Sequence, residues 1–280
     1  MQPGQHEPPS GGQPAWEAAL AGPNPRMETT FMLLKDKVAV VTGGAGRNGL
    51  GYAAAREMAA HGAQVVILDL ARADPVAAAA DLGAGHSGWV ADVTDKASCE
   101  AAAQAIVQRY GRIDILFNNA GITQPRKTLD ITAADYDAVL DVSLRGMLYM
   151  SQAVIPAMRA QKSGSIINTS SVSAQRGGGI LGGPHYSAAK AGMLGLGRAM
   201  AREFGIDGIR VNAITPGLIA TDINKGLIPE DRMKGILEQI PLNRIGVPDD
   251  VAGCVVFLAS DLSRYLTGVT LDVNGGMLIH

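Results

Sequence analysis

The chain has only two cysteines among its 280 residues, Cys99 and Cys254, and they stand far apart in the sequence. A disulfide-stabilised secreted domain carries many more cysteines, and a zinc site needs Cys-x-x-Cys pairs or a Cys/His cluster, neither of which occurs. The sequence therefore argues against both classes and predicts no metal. We expect a cytoplasmic protein with reduced thiols.

Excess charge and long apolar runs are also missing. The net charge is −2 and the isoelectric point is near 6.2, so the chain lacks the basic field that attracts nucleic acid or an anionic membrane surface. No apolar run reaches the roughly 18 residues that a membrane-spanning helix needs. The sequence thus predicts a small-molecule partner and neither a nucleic acid nor a membrane.

The first 34 residues lack hydrophobic periodicity. Ten of the first 26 are proline or glycine, and such a segment buries too little apolar surface to offset the entropy lost on ordering. It also lacks the apolar stretch of a signal peptide and the arginine-rich pattern of a transit peptide. We predict a disordered N-terminal extension over residues 1–34, with Met27 and Met32 as alternative start sites, and one domain over residues 35–280.

From Lys35 onward, short apolar runs alternate with amphipathic segments. Most runs are continuous and rich in β-branched residues, which is typical of parallel strands covered on both faces. Strands are predicted at 37–43, 63–70, 87–93, 113–121, 164–171, 209–217 and 269–276, and helices at 50–61, 96–110, 132–160, 184–205 and 248–260. This alternation predicts a single-domain, doubly wound, Rossmann-type α/β fold with a parallel seven-stranded sheet flanked by helices.

Residues 218–247 interrupt this alternation. They have mixed polarity, two prolines, one methionine and four leucine side chains. A long segment of this kind outside a sheet is usually a lid or a disordered loop, and its apolar content favours a lid over a bound ligand.

A glycine-rich turn, TGGAGRNGLG, joins the first predicted strand to the first helix. Gly43, Gly49 and Gly51 would let the backbone turn sharply and approach a pyrophosphate at the helix N-terminus. Asp69 ends the second predicted strand 20 residues after Gly49. An acid at that distance hydrogen-bonds the adenosine ribose in dinucleotide-binding folds.

The charge of Asp69 favours NAD over NADP as the cofactor. A carboxylate at this position repels the 2′-phosphate that distinguishes NADP. Arg47 and Arg72 argue the other way, because either guanidinium is close enough in sequence to reach a phosphate.

Tyr186 and Lys190 stand four residues apart in the predicted helix that contains HYSAAKAG, so their side chains share one face about a turn apart. A free phenol has a pKa near 10, and a fixed ammonium beside it is expected to lower that pKa toward neutrality. A tyrosine tuned in this way moves a proton to or from an alcohol oxygen. Because the pair alone is a short and common pattern, its meaning depends on the rest of the chain.

Further motifs accompany this pair along the chain. They are Thr42-Gly43 with Gly49-Leu50-Gly51, Asp92-Val93, Asn118-Asn119-Ala120-Gly121, Ser170-Ser171, Pro216-Gly217 with Thr221, and the closing Leu266-Thr267-Gly268 and Asn274-Gly275-Gly276. In this order and at nearly these spacings, residues 35–280 resemble the short-chain dehydrogenase/reductase family.

The resemblance implies a cofactor site and a catalytic site. The residues assigned to the cofactor are Gly43, Arg47, Asn48, Gly49, Leu50, Asp69, Leu70, Asp92, Val93, Asn118, Asn119, Ala120, Gly121, Tyr186, Lys190, Pro216, Gly217, Ile219 and Thr221. Ser171, Tyr186 and Lys190 are the implied catalytic residues. The family places the catalytic serine second in its pair, which favours Ser171 over Ser170.

The chain departs from the family pattern at two places. Five residues, rather than the usual three, separate Gly43 from Gly49, which leaves the pyrophosphate contacts of Arg47 and Asn48 in doubt. The family also carries an asparagine in its fourth major helix, where it holds a water in a proton relay to the lysine. Ser143 stands at that position here, and we predict that it takes part in a rebuilt or weaker relay.

The function implied is NAD-dependent hydride transfer between nicotinamide and a secondary alcohol or ketone, with Tyr186 moving the proton. Gln175, Arg176 and His185 would suit a hydroxylated substrate, such as a sugar or polyol, in a pocket built from 123–128, 172–184 and 218–247. The main alternative is a 3-oxoacyl-thioester (acyl-carrier-protein) reductase, and a non-catalytic NAD-binding protein is a further one.

The resemblance also implies a homotetramer. Its interfaces would lie on the 132–160 and 184–205 helices and on the C-terminal strand. Small residues along the second of these helices would allow close packing, either on another subunit or on this chain's own sheet; they are Ala188, Ala189, Gly192, Gly195 and Ala199.

Overall fold

A computed structural model describes residues 32–178, 181–222, 228 and 230–280, and Met32–His280 belong to one compact unit. Seven parallel strands form one sheet in the order β3-β2-β1-β4-β5-β6-β7. The strands are β1 (Val38–Thr42), β2 (Gln64–Asp69), β3 (Ser87–Val90), β4 (Ile115–Asn118), β5 (Gly164–Thr169), β6 (Ile209–Pro216) and β7 (Thr270–Val273). The predicted doubly wound sheet is confirmed.

Helices cover both faces of the sheet. They are α1 (Leu50–Ala60), α2 (Pro75–Ala80), α3 (Lys96–Tyr110), α4 (Ala133–Leu140), α5 (Gly146–Gln161), α6 (Ser173–Arg176), α7 (Pro184–Phe204), α8 (Glu230–Leu237) and α9 (Pro248–Ala259). The sequence did not predict the short helices α2, α6 and α8. None of the helices described combines the length and apolar character that crossing a bilayer requires.

Strand β1 shows why the apolar runs are continuous. Ala39 and Val41 point to one face, where they pack in a cluster with side chains of α1 and α9. Val38 and Val40 point to the other face, into a cluster with α3, α5 and α7. Because successive side chains of a strand alternate between faces, a strand covered on both sides must be apolar at every position.

The helix predicted at 132–160 is divided by a π-helical turn. α4 leads into this turn at Asp141–Arg145, and α5 follows it directly. Such turns occur most often at functional sites, and this one places Ser143 inside the protein with 1% of its surface exposed.

The folded unit begins before the predicted boundary at residue 35. Leu34 is fully buried against the core, and its amide donates to the His61 carbonyl over 2.9 Å. The rest of the predicted extension, residues 1–31, lies outside the described residues.

The predicted lid, residues 218–247, is closed at its base. The Ala220 amide donates to the Gly246 carbonyl over 2.8 Å, and the Gly246 amide donates to the Leu218 carbonyl over 3.0 Å. A parallel bridge between Ile219 and Gly246 results. Within the segment, α8 is described, whereas residues 223–227 and 229 are not.

The predicted interface residues on α7 divide into two sets. Ala189 is buried, and a Cβ at Gly192 would lie 2.9 Å from the Leu144 side chain, so both positions pack on this chain. Ala188, Gly195 and Ala199 are exposed.

Candidate active site

A cavity of about 860 Å³ lies at the carboxyl edge of the sheet. Its walls come from the ends of six strands, from Gly43 after β1 round to Pro216 at the end of β6. The strand order reverses direction between β1 and β4, and open α/β sheets bind their ligands at such a point.

Most of the predicted cofactor residues line this cavity. They are Gly43, Gly49, Leu50, Asp69, Leu70, Asp92, Val93, Asn119, Ala120, Gly121, Tyr186, Lys190, Pro216, Gly217, Ile219 and Thr221. Arg47, Asn48 and Asn118 are absent from its walls.

The glycine-rich turn explains where Arg47 and Asn48 go. The Gly49 amide donates to the Gly46 carbonyl over 2.8 Å, so the chain turns tightly and its two extra residues project outward. Arg47 forms an ion pair with Asp81, with Nε 2.8 Å from the carboxylate. Asn48 donates to Asp222 over 3.2 Å. Neither side chain lines the cavity, and their contact with a pyrophosphate stays a prediction.

The inner wall of the turn fits a dinucleotide. Gly43 has φ +62°, and a Cβ there would lie 2.8 Å from the Ala120 Cα, so this close approach to β4 requires glycine. Gly49 begins α1 without a side-chain cap, which leaves first-turn amides of the helix available to an anion. A diphosphate therefore has both the room and the donors that it needs.

Asp69 is oriented by the backbone around it. Its carboxylate accepts from the Ala45 amide over 3.0 Å and from its neighbour, the Leu70 amide, over 2.8 Å. The negative charge is thus fixed at the cavity wall. Arg72 also lines the cavity, whereas Arg47 is held away from it, so one of the two predicted competitors for a phosphate is removed.

Thr42 is a structural residue at the edge of the site, and the sequence assigned it no role of its own. Its hydroxyl accepts from the amides of Asn119 and Ala120 over 3.0 and 3.1 Å, and the Asn119 side chain donates to the Thr42 and Gly43 carbonyls. This lattice joins the glycine-rich turn to the end of β4. The Thr42-Gly43 pair of the glycine-rich motif was the sequence feature that could have indicated this role of Thr42.

Asn118 lies in the core instead of the cavity. Its side chain donates to Asn168 over 2.9 Å and to Ser151 over 3.2 Å, and only 3% of the residue is exposed. Because it ends β4 and neighbouring residues of a strand face opposite ways, Asn119 points to the cavity edge and Asn118 does not.

The structure brings Ser171, Tyr186 and Lys190 together. All three residues line the cavity, and Lys190 Nζ lies 5.7 Å from the centre of the Tyr186 ring. Ser170 is occupied elsewhere, since its hydroxyl donates to the Lys190 carbonyl over 2.8 Å. The geometry therefore favours Ser171, as predicted, as the serine that faces a reacting oxygen.

The loop before α7 is packed tightly against the tyrosine. A Cβ at Gly182 would lie 2.4 Å from Tyr186 Cδ1. The absence of a side chain at this position lets the ring take its place beside Ser171.

The electrostatics differ from the expectation for Tyr186. Burial raises the pKa of Tyr186, and the nearby Ser171 hydroxyl lowers it by a smaller amount. Burial also lowers the pKa of Lys190 to about 8, and the ammonium donates to the Thr169 carbonyl over 2.7 Å. In the protein alone, loss of hydration therefore dominates the pKa of the phenol, which is neutral at pH 7.

Ser143 lies outside the cavity wall but next to Lys190. A Cβ at Gly121 would be 3.5 Å from Ser143 Oγ and 3.3 Å from Lys190 Nζ, so the two polar atoms flank the same glycine. Ser143 Oγ is buried and finds no hydrogen-bond partner among the described residues. A buried hydroxyl of this kind is a natural position for an ordered water.

Of the three residues predicted to suit a hydroxylated substrate, Arg176 alone lines the cavity. Gln175 donates to Asp272 over 2.9 Å. His185 is 2% exposed and pairs with the Gln124 side chain over 3.1 Å. The predicted pocket segments do supply cavity walls, and so do residues that the sequence analysis missed: Ile122, Val142 and Met277.

Comparison with known proteins shows which family the chain is similar to. A family model described as enoyl-(acyl carrier protein) reductase matches residues 43–278. An uncharacterized short-chain type dehydrogenase/reductase of Sinorhizobium fredii is 54% identical over 253 residues, which cover 89% of this chain and 100% of that protein.

Two relatives carry specific names. L-rhamnose 1-dehydrogenase (NAD(P)(+)) of Azotobacter vinelandii is 41% identical over 258 residues, covering 89% of this chain and 99% of that protein. A 3-oxoacyl-[acyl-carrier-protein] reductase of Thermotoga maritima is 39% identical over 254 residues, covering 89% and 100%. Together with the parallel sheet and the grouped serine, tyrosine and lysine, these matches identify the chain as a member of the short-chain dehydrogenase/reductase family of oxidoreductases.

Proposed function

We propose that the protein is an NAD-dependent oxidoreductase that interconverts a secondary alcohol and a ketone, with sugars or polyols as the favoured substrates. The observation that carries the proposal is the grouping of Ser171, Tyr186 and Lys190 on the wall of the large cavity, with Lys190 Nζ 5.7 Å from the centre of the Tyr186 ring. When bound, the nicotinamide supplies the hydride or accepts it.

The chain's own residues handle the proton and the developing charge. In reduction, the neutral Tyr186 phenol donates its proton to the carbonyl oxygen, while Ser171 stabilises the charge on that oxygen. In oxidation, Tyr186 must first lose its proton, and its raised pKa makes this direction depend on alkaline pH. Lys190 lies within reach of both the phenol and a cofactor ribose.

The cofactor preference rests on Asp69. Members of this family bind NAD or NADP, and a carboxylate fixed at the cavity wall opposes a 2′-phosphate. Arg72 remains as the competing cation on the same wall. We infer that Asp69 dominates, because its carboxylate is anchored by two backbone amides and the arginine is exposed.

A 3-oxoacyl-thioester reductase is the second candidate. The Thermotoga maritima relative has that name, whereas the Azotobacter vinelandii relative is named for a sugar. Arg126, Lys127, Arg159 and Lys162 are the candidate contacts for an acidic carrier protein. Three of them are engaged in ion pairs, Arg126 with Asp135 and both Arg159 and Lys162 with Asp207, which favours the alcohol dehydrogenase. A non-catalytic protein is disfavoured by the complete set of Ser171, Tyr186 and Lys190.

A substrate and cofactor panel tests the proposal. Purified protein is assayed for oxidation of L-rhamnose and D-sorbitol with NAD or NADP, and for reduction of acetoacetyl-coenzyme A with NADH or NADPH. We expect sugar or polyol oxidation with NAD favoured at least about tenfold, since about 1.4 kcal/mol of repulsion at Asp69 is sufficient.

Two variants serve as matched controls for that preference. Asp69→Ala should reduce the preference for NAD over NADP, and Arg72→Ala should increase it. Efficient reduction of the thioester with NADPH and no oxidation of the polyhydroxylated substrates would replace the proposal by the second candidate. Absence of turnover across the whole panel would count against both.

Ser143 is proposed to hold a water that connects Lys190 to solvent. We expect Ser143→Ala to lower kcat by about tenfold, less than the effect of losing the proton donor itself, and to change the pH profile. Ser187→Ala is the control, because Ser187 Oγ is also buried without a described partner, whereas Ser143 Oγ is the one of the two found with Lys190 Nζ beside Gly121. Equal kcat values and pH profiles for wild type and Ser143→Ala would contradict this role.

The proposal includes assembly into a homotetramer. The exposed small residues Ala188, Gly195 and Ala199 leave space on α7 for the close approach of another subunit.

A further inference from the structure

A hydrogen-bonded cluster ties the active-site wall to the edge of the sheet. Asp272, in the edge strand β7, accepts from the Gln175 amide over 2.9 Å and from the Thr215 hydroxyl. His280 Nε2 lies 3.2 Å from the other oxygen of the same carboxylate. One side chain therefore connects α6, β6 and the last residue of the chain.

The two inner partners lead directly to the reacting groups. Gln175 belongs to α6, which begins two residues after Ser171 and whose Ser173 amide donates to the Ser171 hydroxyl over 3.1 Å. Thr215 immediately precedes Pro216 and Gly217, which line the cofactor cavity. The Val172 amide also donates to the Pro216 carbonyl over 3.0 Å. The segment that carries Ser171 and the end of β6 are therefore joined by a backbone hydrogen bond as well.

The cluster itself does not face the cavity. Asp272, Gln175 and Thr215 are absent from its walls, and Thr215 is fully buried. These side chains therefore have no contact with substrate or cofactor, and any influence on the reaction must pass through the segments that they hold.

The Gln175 amide can satisfy Asp272 in one orientation only. Its nitrogen faces the carboxylate and His280, while its oxygen is buried without a described partner. If the Gln175 amide were turned by 180°, its oxygen would face the Asp272 carboxylate and be repelled. Asp272 therefore fixes the orientation of this amide. The hydrogen bond to Asp272 thus leaves the Gln175 amide oxygen without a described partner, which normally costs free energy of folding.

We propose that Asp272 is a positioning residue: by holding Gln175 and Thr215 together, it sets the distance between Ser171 and the cofactor-facing end of β6. This inference rests on the proposed function. A shift of about 1 Å in such a constellation can cost about 100-fold in rate, so the cluster should affect the chemical step more than the binding of NADH.

The test compares single-turnover rates, the KM for NADH and thermal midpoints, with the most active substrate of the panel above. Gln175→Glu places two carboxylates face to face and is expected to lower the single-turnover rate by about 10- to 100-fold. Adding Asp272→Asn restores a donor–acceptor pair and should recover most of the rate. Gln175→Met removes the hydrogen bond to Asp272 without adding charge, and it should also lower the single-turnover rate.

Thr270→Val is the matched control. It removes a hydroxyl from the other end of β7, where Thr270 accepts a bond from Arg198 over 3.5 Å, and it should leave the rate unchanged. Lower thermal midpoints with wild-type rates in both Gln175 variants would overturn the positioning role while leaving the proposed function intact. A wild-type protein inactive on the whole panel would instead remove the proposed function, and this inference with it.

Discussion

Replacing Tyr186 by phenylalanine is expected to lower kcat by about 10²- to 10⁴-fold, the range associated with the loss of a positioned general acid or base. The ring keeps its place against Gly182, so the shape of the cavity is retained. The phenolic hydroxyl is the part that is lost. Steady-state rates with NAD and the best substrate of the panel would measure the change, and the affinity for NADH should stay close to that of the wild type.

The pH dependence provides a second readout of the same variant. Because burial raises the pKa of Tyr186, alcohol oxidation by the wild type should accelerate as pH rises into the alkaline range, and this rise should disappear in Tyr186→Phe. Tyr136→Phe is a matched control, since Tyr136 is 45% exposed and lies outside the cavity. Near wild-type turnover in the Tyr186 variant would end the assignment of this residue as the proton donor.

Replacing Lys190 by methionine is expected to abolish most activity and yet to stabilise the protein at neutral pH. Burial lowers the pKa of Lys190 from 10.5 to about 8, which corresponds to a penalty of about 3 kcal/mol on the charged form. Methionine fills a similar volume without that penalty. The variant loses the hydrogen bond from the charged ammonium to the Thr169 carbonyl, worth at least about 1.5 kcal/mol, so a net gain of at most about 1.5 kcal/mol is expected.

This gain should depend on pH in a defined direction. Below about pH 8, Lys190 is protonated in both the folded and the unfolded chain, so the folded protein bears the whole penalty. As pH rises from about 8 toward 10.5, the folded chain releases the proton first, and the wild type becomes relatively more stable.

Thermal or urea unfolding of both proteins at pH 7 and pH 10 measures this effect. The advantage of Lys190→Met should be largest at pH 7 and smaller at pH 10. Lys96→Met serves as control, because this exposed lysine on α3 pairs only with Glu100 at the surface and should give no comparable trend. A Lys190 variant that is less stable than the wild type at pH 7 would show that the buried charge is not a burden on the fold.

The sheet could be predicted from the sequence because its cause is local. The run at Val38–Thr42 is apolar at every position, and both faces of β1 are indeed covered by helices. The boundary of the N-terminal extension was less accessible, since burial of Leu34 depends on the contact of its segment with His61 at the end of α1. Short helices such as α6 were missed because they are held by tertiary contacts rather than by their own periodicity.

The residues of the candidate site could be predicted from the sequence, but the direction in which each side chain points could not. Ser171, Tyr186 and Lys190 meet as the motif order implied. Arg47 points away from the cavity because it pairs with Asp81, which is 34 residues distant in sequence. Gln175 likewise pairs with Asp272, which is 97 residues distant. Motif spacing does not reveal pairs that are so far apart in the chain. The pKa of Tyr186 likewise depends on how much water the surrounding fold excludes, which the spacing of two residues does not reveal.

The two ends of the predicted lid, residues 218–247, are joined independently of most of its length. The backbone amides and carbonyls of Leu218, Ala220 and Gly246 form this junction, and a Cβ at Gly246 would lie 2.4 Å from Ile219 Cδ1, so that position requires glycine. Further along the segment, Ile236 and Gln239 line the cavity, so changes there can reshape the cavity wall while the junction stays in place. A fold arranged in this way can acquire new substrates by altering one excursion of the chain, with little cost to the framework that carries the chemistry.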